Sequence, residues 1–244
     1  MLQADKIHLA ARLTDVSLDL RRGEITAICG PNGAGKSSLL GCLAGLLAPG
    51  SGSIALDDVV LAALPAVQRA RLIGFLPQQS EVAWDVSAET LVALGRLPWR
   101  SNAAEDRTAI ETAVAAMDLA DLRHRPVTQL SGGERARVLL ARVLAGTPQW
   151  VLADEPLANL DLAHQLALLA QFRALAGAGQ GVVLVLHDLA QAMNYADRVV
   201  VLERGRIAAD GVPEAVLTDA LIEQVWGVRA HWLGEPGRRA LVVL

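Results

Sequence analysis

Gly30-Pro31-Asn32-Gly33-Ala34-Gly35-Lys36-Ser37 decides how this chain folds. It fits the phosphate-binding pattern G-x-x-x-x-G-K-[ST] at each required position. Glycines let the backbone turn tightly, so that successive N–H groups point into one concavity. Lys36 supplies a positive charge for the outer phosphates, and Ser37 supplies a hydroxyl suited to Mg²⁺. The flanks agree with this reading. Ile25-Thr26-Ala27-Ile28-Cys29 reads as a short buried strand, and residues 38–43 read as the first turns of a helix whose N-terminus favours an anion.

Composition narrows the setting. The chain has 244 residues, 52% of them hydrophobic, enough for a sizeable core. Only 3% are aromatic, so that core must be built from Leu, Val, Ala and Ile. A formal charge of −4 argues against nucleic acid as the main partner. The two cysteines, Cys29 and Cys42, fall in expected buried elements and are read as small core residues in a reducing compartment. The N-terminal residues carry no apolar signal region, and no run approaches the ~18 apolar residues of a spanning helix. The expectation is a soluble protein; any membrane part must come from another chain.

Elsewhere the pattern alternates between strand and helix. Residues 7–20 suggest a short antiparallel pair, with Val16, Leu18 and Leu20 on one face. Strands are expected at residues 53–56, 72–76, 150–153, 182–186 and 199–202, with a hairpin turn at Arg204-Gly205. From about residue 86 to 145 helical periodicity takes over: Leu91, Leu94 and Gly95 fit one helix face, and Ile110, Ala113, Val114 and Met117 another. Strands alternating with helices imply a largely parallel α/β sheet, with this helical stretch as an inserted subdomain.

Two further stretches carry chemistry. Leu152-Ala153-Asp154-Glu155-Pro156 is an apolar strand ending in two carboxylates. Asp154 at the strand end suits Mg²⁺, directly or through water; Glu155 points elsewhere and could polarise an attacking water. Leu130-Ser131-Gly132-Gly133-Glu134 leads into a helical stretch over residues 135–145 and offers a second anion cradle of N–H groups and a hydroxyl. An ordinary helix cap would look the same on these five residues alone.

The three motifs, in this order and spacing, resemble the ATP-binding-cassette (ABC) ATPases over essentially the whole chain. The resemblance implies an α/β fold of the P-loop NTPase (RecA-like) type: a mostly parallel sheet, an antiparallel N-terminal β subdomain and an inserted helical subdomain. It implies a single domain over residues 1–244, with the nucleotide-binding core at 1–82 and 149–244 and the helical part at 83–148. ATP and Mg²⁺ are the implied cofactors. Gly30, Pro31, Asn32, Gly33, Ala34, Gly35, Lys36, Ser37 and Ser38 would hold the nucleotide, joined by Ser131, Gly132, Gly133, Glu134 and Asp161. Ser37, Gln78 and Asp154 would hold the metal, and Glu155, His187 and Gln78 would serve the reaction. Asn159-Leu160-Asp161 matches the loop at the family's dimer interface; His8, His124, His164 and His231 match no functional position and are read as surface or packing residues. Two copies head to tail would trap ATP between one copy's Lys36 and the other's Ser131-Gly132-Gly133.

The chain also departs from the family pattern. Members usually carry an aromatic near residue 10 that stacks on adenine, whereas Ile7-His8-Leu9-Ala10-Ala11-Arg12 has none. Within the family, Val92-Ala93-Leu94-Gly95-Arg96-Leu97-Pro98-Trp99 looks like the ATPases of metal-chelate importers, those for ferric siderophores, haem and cobalamin. That resemblance implies a homodimer of ATPase subunits, a polytopic membrane permease dimer, a periplasmic or surface substrate-binding protein and no nucleic acid partner. It places the chain on the cytoplasmic face of the inner membrane as a peripheral subunit. An exporter ATPase is the alternative, and a non-transport soluble ABC ATPase a more distant one.

Overall fold

The computed structural model describes residues 1–78, 85–99 and 101–244. The chain opens with β1 (Leu2–Leu9) and β2 (Leu13–Leu20), antiparallel, with Leu2 opposite Leu20 and Leu9 opposite Leu13. Val16, Leu18 and Leu20 all point inward, as a period of two requires. β1 begins earlier than residue 7 because Leu2 and Ala4 are buried under the same sheet.

The fully buried β3 (Ile25–Cys29) runs into the phosphate loop and α1 (Lys36–Leu43). β4 (Ser51–Leu56) and β5 (Val59–Val60) close a two-residue hairpin in which Asp57 and Asp58 both have positive φ, 45 and 65°, the geometry such a turn needs. Then come α2 (Ala66–Leu72), β6 (Ile73–Leu76) and the helical segment with α3 (Ala88–Ala93), α4 (Ala103–Ala116) and α5 (Gly132–Ala145). The chain returns through β7 (Trp150–Asp154), α6 (Leu162–Gly177), β8 (Gly181–Val185), α7 (Leu189–Tyr195), β9 (Arg198–Glu203) and β10 (Arg206–Gly211). It ends with α8 (Pro213–Val216), α9 (Asp219–Trp226) and a hairpin of β11 (Ala230–Leu233) and β12 (Ala240–Val243).

The central sheet has the order β10-β9-β3-β8-β7-β6. Strands β9, β3, β8, β7 and β6 run parallel, and β10 folds back antiparallel on β9. A parallel strand covered on both faces must be apolar on both, which is why β3, β7 and β8 are buried at each position. Their alternate residues feed two cores. Ile28, Leu152, Val183 and Val185 face α1 and the antiparallel sheet β2-β1-β4-β5. Ala27, Val151, Ala153, Val182 and Leu184 face the helices, in one core with Leu91, Val114, Met117 and Val138. Cys29 and Cys42 are buried free thiols, and burial pushes Cys29 up to about 12, so it stays protonated.

The helical segment differs in one respect from the periodicity. α3 stops at Ala93 and tightens into a 3₁₀ turn over Leu94–Arg96. That turn swings Leu94 outward, to 39% exposure, and draws Arg96 inward. Arg96 donates to Asp106 Oδ1 at 2.7 Å and to the Ala145 carbonyl at 3.0 Å, so a charged pair takes the place a leucine was expected to fill. The expected boundary between residues 82 and 83 falls outside the described residues. Among the described residues no helix is long and apolar enough to cross a membrane.

Candidate nucleotide site

The site assembles at the carboxyl ends of the parallel strands, where a doubly wound sheet opens a crevice. After β3 the chain makes the phosphate loop. Gly30 has φ 148° and Gly35 φ 103°. A Cβ on Gly35 would stand 2.7 Å from the Arg12 carbonyl, so neither the conformation nor the space admits a side chain there. Gly35 precedes α1 with no side-chain cap, which leaves the first helical N–H groups for a ligand. The Lys36 ammonium folds back over the loop and donates to the carbonyls of Gly30 at 2.8 Å and Pro31 at 3.0 Å. Burial lowers its pKa, while Glu155 and Asp154 pull it back up. Ser37 is exposed on the site side and Ser38 is buried.

β7 delivers the two carboxylates. Asp154 closes the strand, 7% exposed, and burial raises its pKa against the lowering effect of the Ser37 hydroxyl beside it. Its Oδ1 is buried without a hydrogen-bond partner. Such an orphaned carboxylate oxygen costs free energy unless a cation or a proton satisfies it. Ser37 Oγ and Asp154 Oδ1 therefore fit a Mg²⁺ that takes its other ligands from phosphate and water.

Glu155 follows with φ 49°, in the left-handed region. It meets two partners from the neighbouring strand ends. Gln78, two residues beyond β6, donates its amide to Glu155 Oε2 at 2.5 Å. His187, two residues beyond β8, places Nε2 against Glu155 Oε1. Because β6, β7 and β8 are successive neighbours, residues 77 and 32 positions away reach one carboxylate. The sheet register thus brings Gln78, Asp154, Glu155 and His187 together beside the phosphate loop.

The second cradle is built differently. Ser131 caps α5 in a capping box: its Oγ accepts from Glu134 N at 3.3 Å, and Glu134 Oε2 accepts from Ser131 N at 2.7 Å. Glu134 also pairs with Arg125 at 3.2 Å, and these bonds hold its pKa low. Its carboxylate is spent on shaping the cap, while the N–H groups of Gly132 and Gly133 complete the cradle. A cleft of about 370 Å³ is lined by Gln78, Glu155, Gly132 and Asn159. Gly132 therefore lies closer to Glu155 than the separation in sequence suggested, but the phosphate loop does not line that cleft.

Asp161 N-caps α6 by accepting from His164 N at 2.9 Å, and its carboxylate also meets His164 Nδ1 at 2.7 Å. His164 matched no motif, yet its ring lies where a Cβ on Gly133 would stand, only 2.1 Å from Cδ2. It links the Asp161 loop to the second cradle. The small residue at Gly133 and the Asp161-x-x-His164 spacing were visible, but nothing in the sequence put them side by side.

The sequence profile of the family described as "ABC transporter" matches residues 13–158. The chain is similar to the hemin import ATP-binding protein HmuV of Rhodococcus jostii, with 45% identity over 236 residues, 95% of this chain and 80% of that one. In structure it is similar to a chain from an inward-facing conformation of a metal-chelate type ABC transporter, with a TM-score of 0.86 and 26% identity over 100% of this chain and 96% of the other. It is also similar to the ATP-binding cassette MJ0796, seen as a dimer in a post-hydrolysis state with ADP and Pi, with a TM-score of 0.77 and 26% identity over 87% and 99%. Phosphate loop, paired strand-end carboxylates and capped second cradle thus sit on the cassette fold in the cassette order, and the chain belongs to the ABC transporter family as an ATP-hydrolysing cassette subunit.

Proposed function

We propose that this chain powers import of a metal chelate, with haem as the cargo, by hydrolysing ATP at a site shared between two copies. The observation that carries the hydrolytic part is Glu155, held between the Gln78 amide and the His187 ring next to Asp154. Phosphoryl transfer asks the protein mainly for positioning and charge. Lys36 and the loop N–H groups bind and orient the phosphates. Ser37, Asp154 and the side-chain oxygen of Gln78 would hold Mg²⁺, which would supply positive charge against the phosphates. Glu155 orients a water and accepts its proton as the new O–P bond forms and the bond from the γ-phosphorus to the β–γ bridging oxygen breaks. His187 keeps Glu155 in place and would contact the γ-phosphate as it is transferred to water.

The Ser131–Gly133 cradle closes the site of a second copy. The dimeric cassette with ADP and Pi supports this arrangement, as does the placement of the cradle off the phosphate loop. Its test is complementation: mixing Ser131→Arg with Lys36→Ala chains leaves one intact composite site per heterodimer and restores ATPase activity, and proven heterodimers with no activity would reject it.

One surface groove supports contact with a membrane permease. A groove of about 470 Å³ runs between the core and the helical segment, lined by Leu46, Ala66, Arg69, Phe75, Leu97 and Arg142. Leu46 is 62% and Leu97 77% exposed, more apolar surface than a monomer needs there. β6 forms one wall and leads directly to Gln78, so a permease segment seated in the groove touches the strand that carries a Glu155 partner. The working assembly is then two cassettes on the cytoplasmic face of the inner membrane, a permease dimer and a substrate-binding protein outside. The haem cargo rests on the name of the relative. Deleting the gene should abolish growth on hemin as the only iron source, with rescue by the wild-type chain and not by Glu155→Gln. Normal growth on hemin with loss of uptake of another chelate would overturn the cargo.

A further inference from the structure

Glu155 and His187 stand on different connections of the chain, and a second tie joins those connections behind the site. From Glu155 the chain makes two successive turns before α6. Ala158 N donates to the Glu155 carbonyl at 3.2 Å, and Leu160 N donates to the Leu157 carbonyl at 3.4 Å. Glu155 and Asn159 both have positive φ, 49 and 60°. Left-handed conformations at residues other than glycine persist only where the surroundings over-determine them. Leu157 anchors the loop in the core, and Asp161 ends it by capping α6.

Gln165, in the first turn of α6, supplies a further restraint. Its side-chain Nε2 donates to the carbonyls of Leu157 at 3.3 Å and Leu160 at 3.0 Å. Both partners are acceptors, so the amide nitrogen must face the loop and the amide oxygen must face away from it. That oxygen accepts from Gln191 Nε2 at 2.9 Å. Gln191 lies in the first turn of α7, just beyond His187. The two helices pack on the same core through Leu168, Leu169, Ala192 and Met193. These bonds therefore close a ring. Glu155 leads through its loop to Gln165, Gln165 to Gln191, Gln191 through the start of α7 to His187, and His187 Nε2 returns to Glu155 Oε1.

We infer that Gln165 and Gln191 are positioning residues for hydrolysis. Their amide pair is a strut that fixes the loop after Glu155 against the helix after His187, and so sets the contact between those two side chains. This rests on the roles given to Glu155 and His187 above. Both glutamines act through the backbone that carries a reacting group. Lys36 and the phosphate loop follow β3 and lie outside the ring, so the strut governs turnover and not nucleotide affinity.

Steady-state ATPase assays, titration with a non-hydrolysable ATP analogue and thermal melts of the purified chain test the strut. Gln191→Met removes the donor at similar volume. It should lower kcat by roughly 10–100-fold, the loss expected when a reacting group is displaced by up to about 1 Å, with KM and analogue affinity unchanged. Gln191→Lys returns a donor to the Gln165 oxygen and should recover most of the rate, whereas Gln191→Glu offers only acceptors and should not. Gln165→Leu combined with Gln191→Met should be no slower than Gln165→Leu alone, because either change breaks the same strut. A normal kcat in Gln191→Met would overturn the inference. So would equal rates in the lysine and glutamate variants, additive losses in the double variant, a matching loss of analogue affinity, or a rate order that simply follows the thermal midpoints. Glu155→Gln, run in parallel, separates the two readings. Normal turnover there removes the role of Glu155 on which the strut rests, whereas slow turnover there beside a normal Gln191→Met removes the strut alone.

Discussion

At the ends of β6, β7 and β8, the side chains that do chemistry hang from strands held in backbone ladders, β7 and β8 on both sides and β6 on one; at the start of α5, the second cradle is held by its own cap and by side chains packed around it. The first region concentrates charge. Lys36, Asp154, Glu155 and His187 lie together, with the lysine and the aspartate nearly buried, where interactions are weakly screened. The second region offers backbone N–H groups and one hydroxyl, and its charges serve structure. Glu134 shapes the cap, and Arg123 ties α3 to α4 through Glu89 at 2.5 Å and Glu111 at 2.8 Å. Partly exposed pairs of this kind contribute about 0–1 kcal/mol each. The difference supports the proposed division of labour, with hydrolysis at the strand ends and phosphate recognition at the helix end.

That contrast can be broken by substitution. Glu155→Gln keeps the shape of the strand-end cluster but loses the proton acceptor, so turnover should fall by roughly 10²–10⁴-fold with nucleotide affinity retained. Steady-state ATPase assays beside a binding titration check this, and near-normal turnover would move the reaction away from the strand ends. Lys36→Ala removes charge-assisted contacts to phosphate, each worth about 1.5–3 kcal/mol, and should weaken ATP binding by roughly 10–100-fold. Equal binding would return the phosphate loop to an ordinary turn.

On the helix side the expected effects are on stability. Gly133→Ala drives a methyl into the His164 ring and should cost about 1–3 kcal/mol by overpacking, read as a lower thermal midpoint. His164→Ala in the same chain should recover most of that loss. No recovery would uncouple the cradle from the Asp161 loop. The smallest effect concerns pH. Glu134 is held below the ordinary glutamate value of 4.5, first by the Ser131 backbone bond. A carboxylate whose pKa is lower folded than unfolded contributes stability above the unfolded value and loses it as pH falls through the folded one. The advantage of wild type over Glu134→Gln should therefore be present at pH 7 and shrink below 4.5, measured as the difference in thermal midpoints.

Several elements were plain from the residues alone. The phosphate loop, its strand and its helix are legible because a local backbone path needs glycine at fixed places and an apolar run before it. The parallel sheet follows from the uniformly apolar strands, and the cap of α5 from Ser131 and Glu134 at capping-box spacing. The 3₁₀ turn that exposes Leu94 was not legible, because the bonds from Arg96 to Asp106 and Ala145 that stabilise it are made across the fold. The terminal hairpin of β11 and β12 also escaped, since a partly exposed pair gives a weak apolar signal.

By itself, then, the sequence determined which groups this protein would bring to a nucleotide: the loop with Lys36 and Ser37, the carboxylates of Asp154 and Glu155, and the amide and imidazole of Gln78 and His187. Only the tertiary structure decided what each group faces. Strand order puts Gln78 and His187 on Glu155, the seat of Gly133 gives His164 a place, and the shared core beneath α6 and α7 joins Gln165 to Gln191. The reason is physical. Backbone conformation is governed by neighbours in sequence, whereas hydrogen bonds and packing act between neighbours in space, and the sheet register is what makes distant residues adjacent.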